Sequence, residues 1–281
     1  MCFNFHHLKV DYKDGQKWSL MKPDYMALKK LLEEWQEGMQ KGEGWNALFW
    51  CNHDQPRIVS RMGNEGQYWK ESAKMLATSI HMMRGTPYIY QGEELGMLNA
   101  HYNDISSYRD VESLNYYKIL LSQGKTKEEA LKILAERSRD NSRTPMQWSK
   151  DKNAGFSESE PWISVPAHYE KINVETEIND EDSIYSFYKK LITLRKEKKV
   201  ISQGDITFIE KENPDILAYK RTEQEQKVIV LNNFTEKELK ISAEKEWKSY
   251  HKLLGNYEGD CCWEGEEIAL KPYETIMLEN F

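Results

Sequence analysis

Five apolar residues in a row, Ala47-Leu48-Phe49-Trp50-Cys51, run straight into the polar segment Asn52-His53-Asp54-Gln55-Pro56-Arg57. A continuous apolar run of that length suits a strand buried on both faces, as in a parallel sheet covered by helices. The pattern repeats. Met1 to Phe5 reads as a short buried strand leading into a polar loop from His6 to Trp18, and Pro87-Tyr88-Ile89-Tyr90 reads as another leading into Gln91-Gly92-Glu93-Glu94. Two helical stretches lie between them. The first opens at Pro23-Asp24 and carries Met26, Leu28, Leu31, Leu32, Trp35 and Met39 at helical spacing until Gly42 and Gly44 break it. The second spans about 68–83 and is closed by Gly85 and Pro87. Strands alternating with helices, each strand ending in a polar loop, give the rhythm of a parallel β/α fold. Ligand sites in such folds form at the C-terminal strand ends.

Beyond this unit the chain reads as a helical excursion over about 103–138, then an ordered loop over 138–173 rich in Pro, Gly, Ser and Trp. A last amphipathic helix over 182–198 places Ile184, Phe187, Tyr188, Leu191 and Leu194 on one face. After Gly204 the pattern changes to short alternating stretches at 206–209, 216–219, 228–231, 268–270 and 275–278, separated by turn and charge clusters. This predicts a small antiparallel β domain. The expected division is 1–203, with a helical and loop insertion at about 98–175, and 204–281.

Composition narrows the class. Aromatic residues make up 12 % of the 281, more than a disordered chain carries. Such rings suit sugar-binding clefts and equally suit a core. The net charge of -7 argues against a general nucleic-acid or anionic-membrane binder and still allows a local basic pocket. No apolar run is long enough to cross a bilayer, and the first residues have neither the basic nor the apolar region of a secretory signal. Cys2, Cys51, Cys261 and Cys262 have no zinc-site spacing, and the adjacent pair is a poor disulfide. They read as reduced thiols of a cytoplasmic protein.

Four segments carry side chains capable of chemistry. His53 and Asp54, just past a buried strand, can donate to and accept from sugar hydroxyls, and a carboxylate there would stabilise an oxocarbenium-like transition state. Asp54 can equally cap the following turn. Arg139 and Arg143 flank Asp140 in Arg139-Asp140-Asn141-Ser142-Arg143-Thr144-Pro145 and can clamp a carboxylate or donate to hydroxyls, or form a structural salt-bridge loop. Glu93 and Glu94 are an acid/base pair by type, but a structural buttress is the better reading. His6, His7, Lys9 and Lys17 share one loop, which reads as a metal site, a phosphate pocket or solvated surface.

In their order along the chain, Gly44 to Arg57, Gly85 to Met97 and Arg139 to Trp148 resemble the α-amylase family, glycoside hydrolase family 13. The last of these is similar to the Arg-Asp-Asn-x-Arg-Thr-Pro-Met-Gln-Trp segment of its oligo-1,6-glucosidase branch. Within that branch, Phe3 to Tyr12 and Cys51 look more like the members that hydrolyse trehalose 6-phosphate than those that cleave isomalto-oligosaccharides. The resemblance implies a (β/α)8 TIM barrel, of which this chain supplies strands six to eight, followed by an all-β antiparallel sandwich. It implies a retaining α-glucosidase in which an Asp after the fourth strand is the nucleophile and a Glu after the fifth is the acid/base. Both are expected outside this sequence, as is any Ca²⁺ or Mg²⁺ site, and no cofactor is expected. Asp54 carries over as transition-state stabiliser, His53 as its neighbour on the glucose ring, Arg139 as a ligand of the non-reducing glucose, and Arg143 as a residue orienting that loop. Lys9 and Lys17 are the expected phosphate contacts. The implied partners are a sugar or sugar phosphate and an N-terminal barrel half. A non-catalytic amylase-like binding or assembly module is the alternative of another class.

Three strands cannot close an eight-stranded barrel. Leu48, Trp50, Tyr88 and Tyr90 are therefore expected to meet water on one side, at about 1.5–3 kcal/mol for each exposed side chain.

Overall fold

The computed structural model describes residues 1–281. Strands β1 (Cys2–Phe3), β2 (Asn46–Leu48) and β3 (Thr86–Pro87) form a parallel sheet in that order, with Phe3 opposite Ala47 and Ala47 opposite Thr86. Helix α1 (Tyr25–Lys41) connects β1 to β2, and α2 (Ile58–Met62) with α3 (Trp69–His81) connects β2 to β3. Asp24 starts α1 by accepting the Ala27 amide at 2.9 Å, satisfying one of the free donors of the first turn. Every residue of α3 from Ser72 to His81 is buried, because this helix lies between the parallel strands and the β-rich part that follows.

After β3 come α4 (Val111–Ser122) and α5 (Lys127–Arg137), which close on a core of Trp18, Tyr108, Leu120, Ala130, Ile133 and Leu134. Thr126 and Glu129 form a reciprocal cap at the start of α5. The long loop beyond contains the single-turn helices α6 (Asp140–Arg143) and α7 (Val174–Ile178). Helix α8 (Ile184–Glu197) buries Ile184, Phe187, Tyr188 and Leu191, four residues of the face expected from their spacing, and α9 (Lys199–Ser202) follows.

Eight antiparallel strands make up the remainder: β4 (Asp205–Ile209), β5 (Ile216–Glu223), β6 (Gln226–Asn233), β7 (Leu239–Ser242), β8 (His251–Gly255), β9 (Cys262–Glu264), β10 (Glu267–Leu270) and β11 (Thr275–Glu279). They form a sheet β4-β5-β6-β11-β8 and a sheet β7-β10-β9. Five were expected. β7, β8 and β9 escape the alternation rule because Ile241 is the single buried residue among them. One face of the larger sheet packs on the smaller through Ile216, Ile229, Leu231, Ile268 and Leu278. The other face, through Leu217, Tyr219, Val228, Val230 and Met277, joins the same core as Leu48, Trp50, Leu76 and Leu191.

The burial of the parallel strands corrects three expectations. Leu48 and Trp50 do not meet water: they are 5 % and 0 % exposed, and the Trp50 indole N–H donates to Leu76 O at 2.7 Å under α3. Met1 to Phe5 and the stretch 87–90 are not buried strands: Phe3 and Phe5 are 48 % and 47 % exposed, and Tyr88 and Ile89 are 39 % and 37 %. The physical reason is the pleat, which sends successive side chains to opposite faces. The helix-facing side is covered by this chain. The opposite side carries Phe3, Phe5 and His7 packed against Phe49, with Tyr88 against Phe3. No helix is long and apolar enough to cross a membrane. All four cysteines are free.

Candidate functional site

Asn52, not Asp54, holds the turn after the apolar run. Its Oδ1 accepts the Asp54 amide at 2.8 Å, an Asx turn that leaves the Asp54 carboxylate free to face outward. His53 Nε2 lies 3.2 Å from Asp54 Oδ2. Arg143 donates from Nη2 to Asp54 Oδ1 at 2.7 Å and from Nε to His53 O at 2.8 Å. Arg139 Nη1 stands 3.6 Å from the same Oδ1. The single turn of α6 places these two arginines four residues apart, on one face. The fold thus brings His53, Asp54, Arg139 and Arg143 into one cluster. His53 and Asp54 keep 69 % and 45 % of their side-chain surface open to solvent.

Two further acids complete the array, and sequence reasoning missed both. Asp110 Oδ1 accepts Arg139 Nε at 3.0 Å and pairs with its Nη2 at 2.7 Å, and Arg143 Nη1 lies 3.8 Å from that oxygen. Its Oδ2 accepts the Ser113 amide and hydroxyl at 3.1 and 2.8 Å, which starts α4. Burial alone would raise the Asp110 carboxyl, but Arg139 and Ser113 outweigh it and hold it below the usual carboxylate value. Glu112 Oε2 lies 3.4 Å from Arg139 Nε and 2.7 Å from Lys17 Nζ. The signal for Asp110 was a helix N-cap, which identifies where a helix begins and nothing more.

Lys17, stacked 4.7 Å over Trp18, is therefore tied to the cluster through Glu112. Lys9 is exposed and takes no part in the array. His7 is not available as a ligand: it is buried, bonded through Nε2 to Phe49 O at 2.8 Å, and burial lowers its pKa to about 4. No group of three or more His, Cys, Asp or Glu side chains is placed to hold a metal ion.

Buried cations fix the loops beneath. Asp11 accepts Arg61 Nε at 2.8 Å and Nη2 at 2.5 Å and also pairs with Arg137, so the first loop, α2 and α5 meet at one carboxylate. Arg57 donates to Gln91 O at 2.6 Å and Asn141 O at 3.3 Å, joining the loops after β2 and β3 to α6. Asp140 Oδ2 accepts the Arg109 and Asp110 amides at 2.8 and 3.0 Å. Glu93 turns inward, accepting the Tyr188 hydroxyl at 3.1 Å, and burial raises its pKa to about 7. That is the buttress expected of this loop. The exposed cluster can accept and donate hydrogen bonds around a polyhydroxylated ring and place one negative charge beside it.

Residues 1–204 match the sequence profile of the α-amylase catalytic domain, and residues 216–277 match that of the SusG C-terminal domain of α-amylases. The chain belongs to the α-amylase family. Among its relatives are the trehalose-6-phosphate hydrolase of Bacillus subtilis (strain 168), 50 % identical over 99 % of this chain and 50 % of the relative, and an oligo-1,6-glucosidase of Bacillus cereus, 44 % identical over the same shares. The crystal structure of Bacillus licheniformis trehalose-6-phosphate hydrolase superposes with a TM-score of 0.95 at 52 % identity, covering 99 % of this chain and 50 % of that one. The chain spans about half the length of the relatives it matches. Its three parallel strands are the C-terminal part of an α-amylase-family TIM barrel, strands six to eight, and an all-β antiparallel unit follows.

Proposed function

We propose that this chain is the C-terminal portion of a retaining α-glucosidase that hydrolyses trehalose 6-phosphate to glucose and glucose 6-phosphate. The observation that carries the reading is the Asp54 carboxylate at a strand end, flanked by His53 at 3.2 Å, Arg143 at 2.7 Å and Arg139 at 3.6 Å. In this reading Asp54 faces the sugar ring whose charge develops during cleavage, His53 donates to a ring hydroxyl, and Arg139 holds the non-reducing glucose. Arg143 keeps the His53-Asp54 loop in place through both of its contacts. The nucleophilic Asp and the acid/base Glu belong to an N-terminal barrel half, so the chain alone is inactive. A boundary near Gly204 separates the barrel part from the β unit, and the four free thiols fit a cytoplasmic setting.

Lys17 and Lys9 are the proposed phosphate contacts, with Lys17 the better supported because Glu112 joins it to the array. Hydrolysis of isomalto-oligosaccharides is the second reading, favoured by the 44 % identity to an oligo-1,6-glucosidase. The test is glucose release from trehalose 6-phosphate by the purified chain, alone and with the N-terminal half of a related trehalose-6-phosphate hydrolase added. Release only with the added half is expected. Hydrolysis by the chain alone would remove the assignment of the reacting carboxylates to the other half. In the assembled enzyme, Lys17→Ala should reduce the preference for phosphorylated over unphosphorylated trehalose by about tenfold, the weight of one charge-assisted contact. An unchanged preference sinks the phosphate role of Lys17.

A further inference from the structure

We propose that Asp110 is a positioning residue for the Asp54 site: by binding Arg139, it keeps that guanidinium spread across the site instead of folded, beside Arg143, onto the Asp54 carboxylate. The inference rests on the sugar-site reading above. Asp110 is almost fully buried, and one of its oxygens is committed to the Ser113 amide and hydroxyl at 3.1 and 2.8 Å. The other oxygen accepts Arg139 Nε at 3.0 Å, pairs with its Nη2 at 2.7 Å, and lies 3.8 Å from Arg143 Nη1. Its main chain is fixed as well, since its amide donates to Asp140 Oδ2 at 3.0 Å. A carboxylate held from both ends cannot follow the arginines, so the arginines must come to it. Asp54, with 45 % of its side-chain surface open to solvent, is the more exposed of the two acids.

The distances express that division. Arg139 is bonded to Asp110 and remains 3.6 Å from Asp54, while Arg143 is bonded to Asp54 at 2.7 Å and remains 3.8 Å from Asp110. Each acid has one close cation and one distant one. Glu112 stands 3.4 Å from the Nε side of Arg139 and adds to the pull away from Asp54. Without the Asp110 charge, Arg139 loses its hydrogen bond and close ion pair there, and only Glu112 at 3.4 Å still opposes its closure onto Asp54 at 3.6 Å. Closure there would take the donors of Arg139 away from a bound sugar and occupy the Asp54 lone pairs that such a sugar needs.

The substitution that separates this role from helix capping is Asp110→Asn. Asparagine caps a helix as well as aspartate does, so the Ser113 contacts and the start of α4 persist while the charge is removed. Ser113→Ala is the control, removing the hydroxyl partner of Asp110 and leaving the charge. The readout in the 281-residue chain is the Arg139 side-chain Nε–H correlation in ¹⁵N NMR, with methyl α-D-glucoside as the sugar probe. Asp110→Asn should shift that signal and speed its solvent exchange, and should weaken glucoside binding by about tenfold. Ser113→Ala should do neither. An Arg139 signal unchanged by Asp110→Asn, or moved equally by both variants, overturns the proposal and leaves Asp110 a helix cap. Glucoside binding that fails even with the N-terminal half of a related trehalose-6-phosphate hydrolase added, with the Arg139 signal still moved by Asp110→Asn, overturns the sugar-site reading and upholds the positioning role.

Discussion

At the scale of single residues, charge at this site depends on where each carboxylate is anchored. Arg143 makes two bonds whose geometry needs a planar fork: Nη2 to Asp54 at 2.7 Å and Nε to His53 O at 2.8 Å. A lysine has one nitrogen and cannot make both. Arg143→Lys should cost about 1.5–3 kcal/mol of transition-state stabilisation, roughly a ten- to hundredfold fall in kcat/KM of the assembled enzyme, with the fold retained. Steady-state kinetics beside circular dichroism checks both halves of that statement. His81 behaves differently. Its ring is fully buried, neither nitrogen has a partner, and burial followed by the Arg195 charge lowers its pKa to about 3 from 6.5. The folded state therefore holds it neutral, while the unfolded chain takes up a proton below pH 6.5. The stability it confers is present above that pH and is lost as pH falls toward 3. His81→Phe keeps the edge-on contact with Tyr188, now 5.1 Å between centroids, and removes the proton. Urea unfolding at pH 7 and pH 4.5 should show equal or greater stability for the variant at neutral pH and a smaller loss in acid. A steeper acid loss in the variant contradicts this. His7 and His168, both lowered to about 4 mainly by burial, remain as the residual acid dependence.

At the scale of elements, the site is assembled by buried ions that tie loops together. Asp11 sits in the loop after β1, Arg61 on α2 just past the His53-Asp54 turn, and Arg137 at the end of α5 just before Arg139. Tyr12 lies under both guanidiniums at 5.6 and 5.3 Å, so the two cations share one carboxylate and one ring. Removing that carboxylate strands two buried positive charges. Asp11→Ala should therefore destabilise the fold by about 3–5 kcal/mol, as breaking a buried ion pair does. Against a domain stability of about 5–15 kcal/mol that is a large fraction, measurable as a lower urea midpoint. A change below about 1 kcal/mol would mean that the ions are solvated and that the loops are held otherwise. Burial opposes ionisation of Asp11 and the two arginines overcome it, holding its pKa below the usual carboxylate value. Its stabilising effect is thus present above that usual value and fades as pH falls through the lowered one.

At the scale of the whole molecule, one core runs through both parts. Leu48 and Trp50 of the parallel unit share it with Tyr219, Val228 and Met277 of the antiparallel sheet. Arg221 fastens the junction, donating from Nη1 to Met82 O and Ile201 O at 2.6 Å and from Nη2 to Gly204 O at 2.5 Å. Burial lowers its pKa to about 9. Heat should unfold the chain in a single transition, and calorimetry resolving two would contradict the continuous core. The opposite face of the parallel strands has no such cover. Met1, Phe3, Phe5 and Tyr88 are exposed together on this side. An open apolar face of this kind drives association. Sedimentation of the chain alone should show concentration-dependent association, and Phe3→Lys with Tyr88→Lys should reduce it. A monomer at all concentrations, or association unchanged in the double variant, would show that this face does not drive it.

The sequence by itself determined the rhythm of three parallel strands with helices between, the change to antiparallel strands after Gly204, and the two segments that carry His53 and Asp54, and Arg139 and Arg143. It did so because apolar periodicity and long ordered motifs are local signals, complete within one segment of chain. Tertiary structure decided what locality cannot carry. Which side of β2 is covered depends on where α3 and the antiparallel sheet pack, so Leu48 and Trp50 are buried and Phe3 and Tyr88 are not. Which acids share the arginines of the site depends on the meeting of α4 with α6, 29 residues apart at Asp110 and Arg139. Lys17 reached the cluster and Lys9 did not, because only Lys17 lies opposite Glu112. An ion pair is specified by two positions that the chain folds together, and neither position alone announces the other.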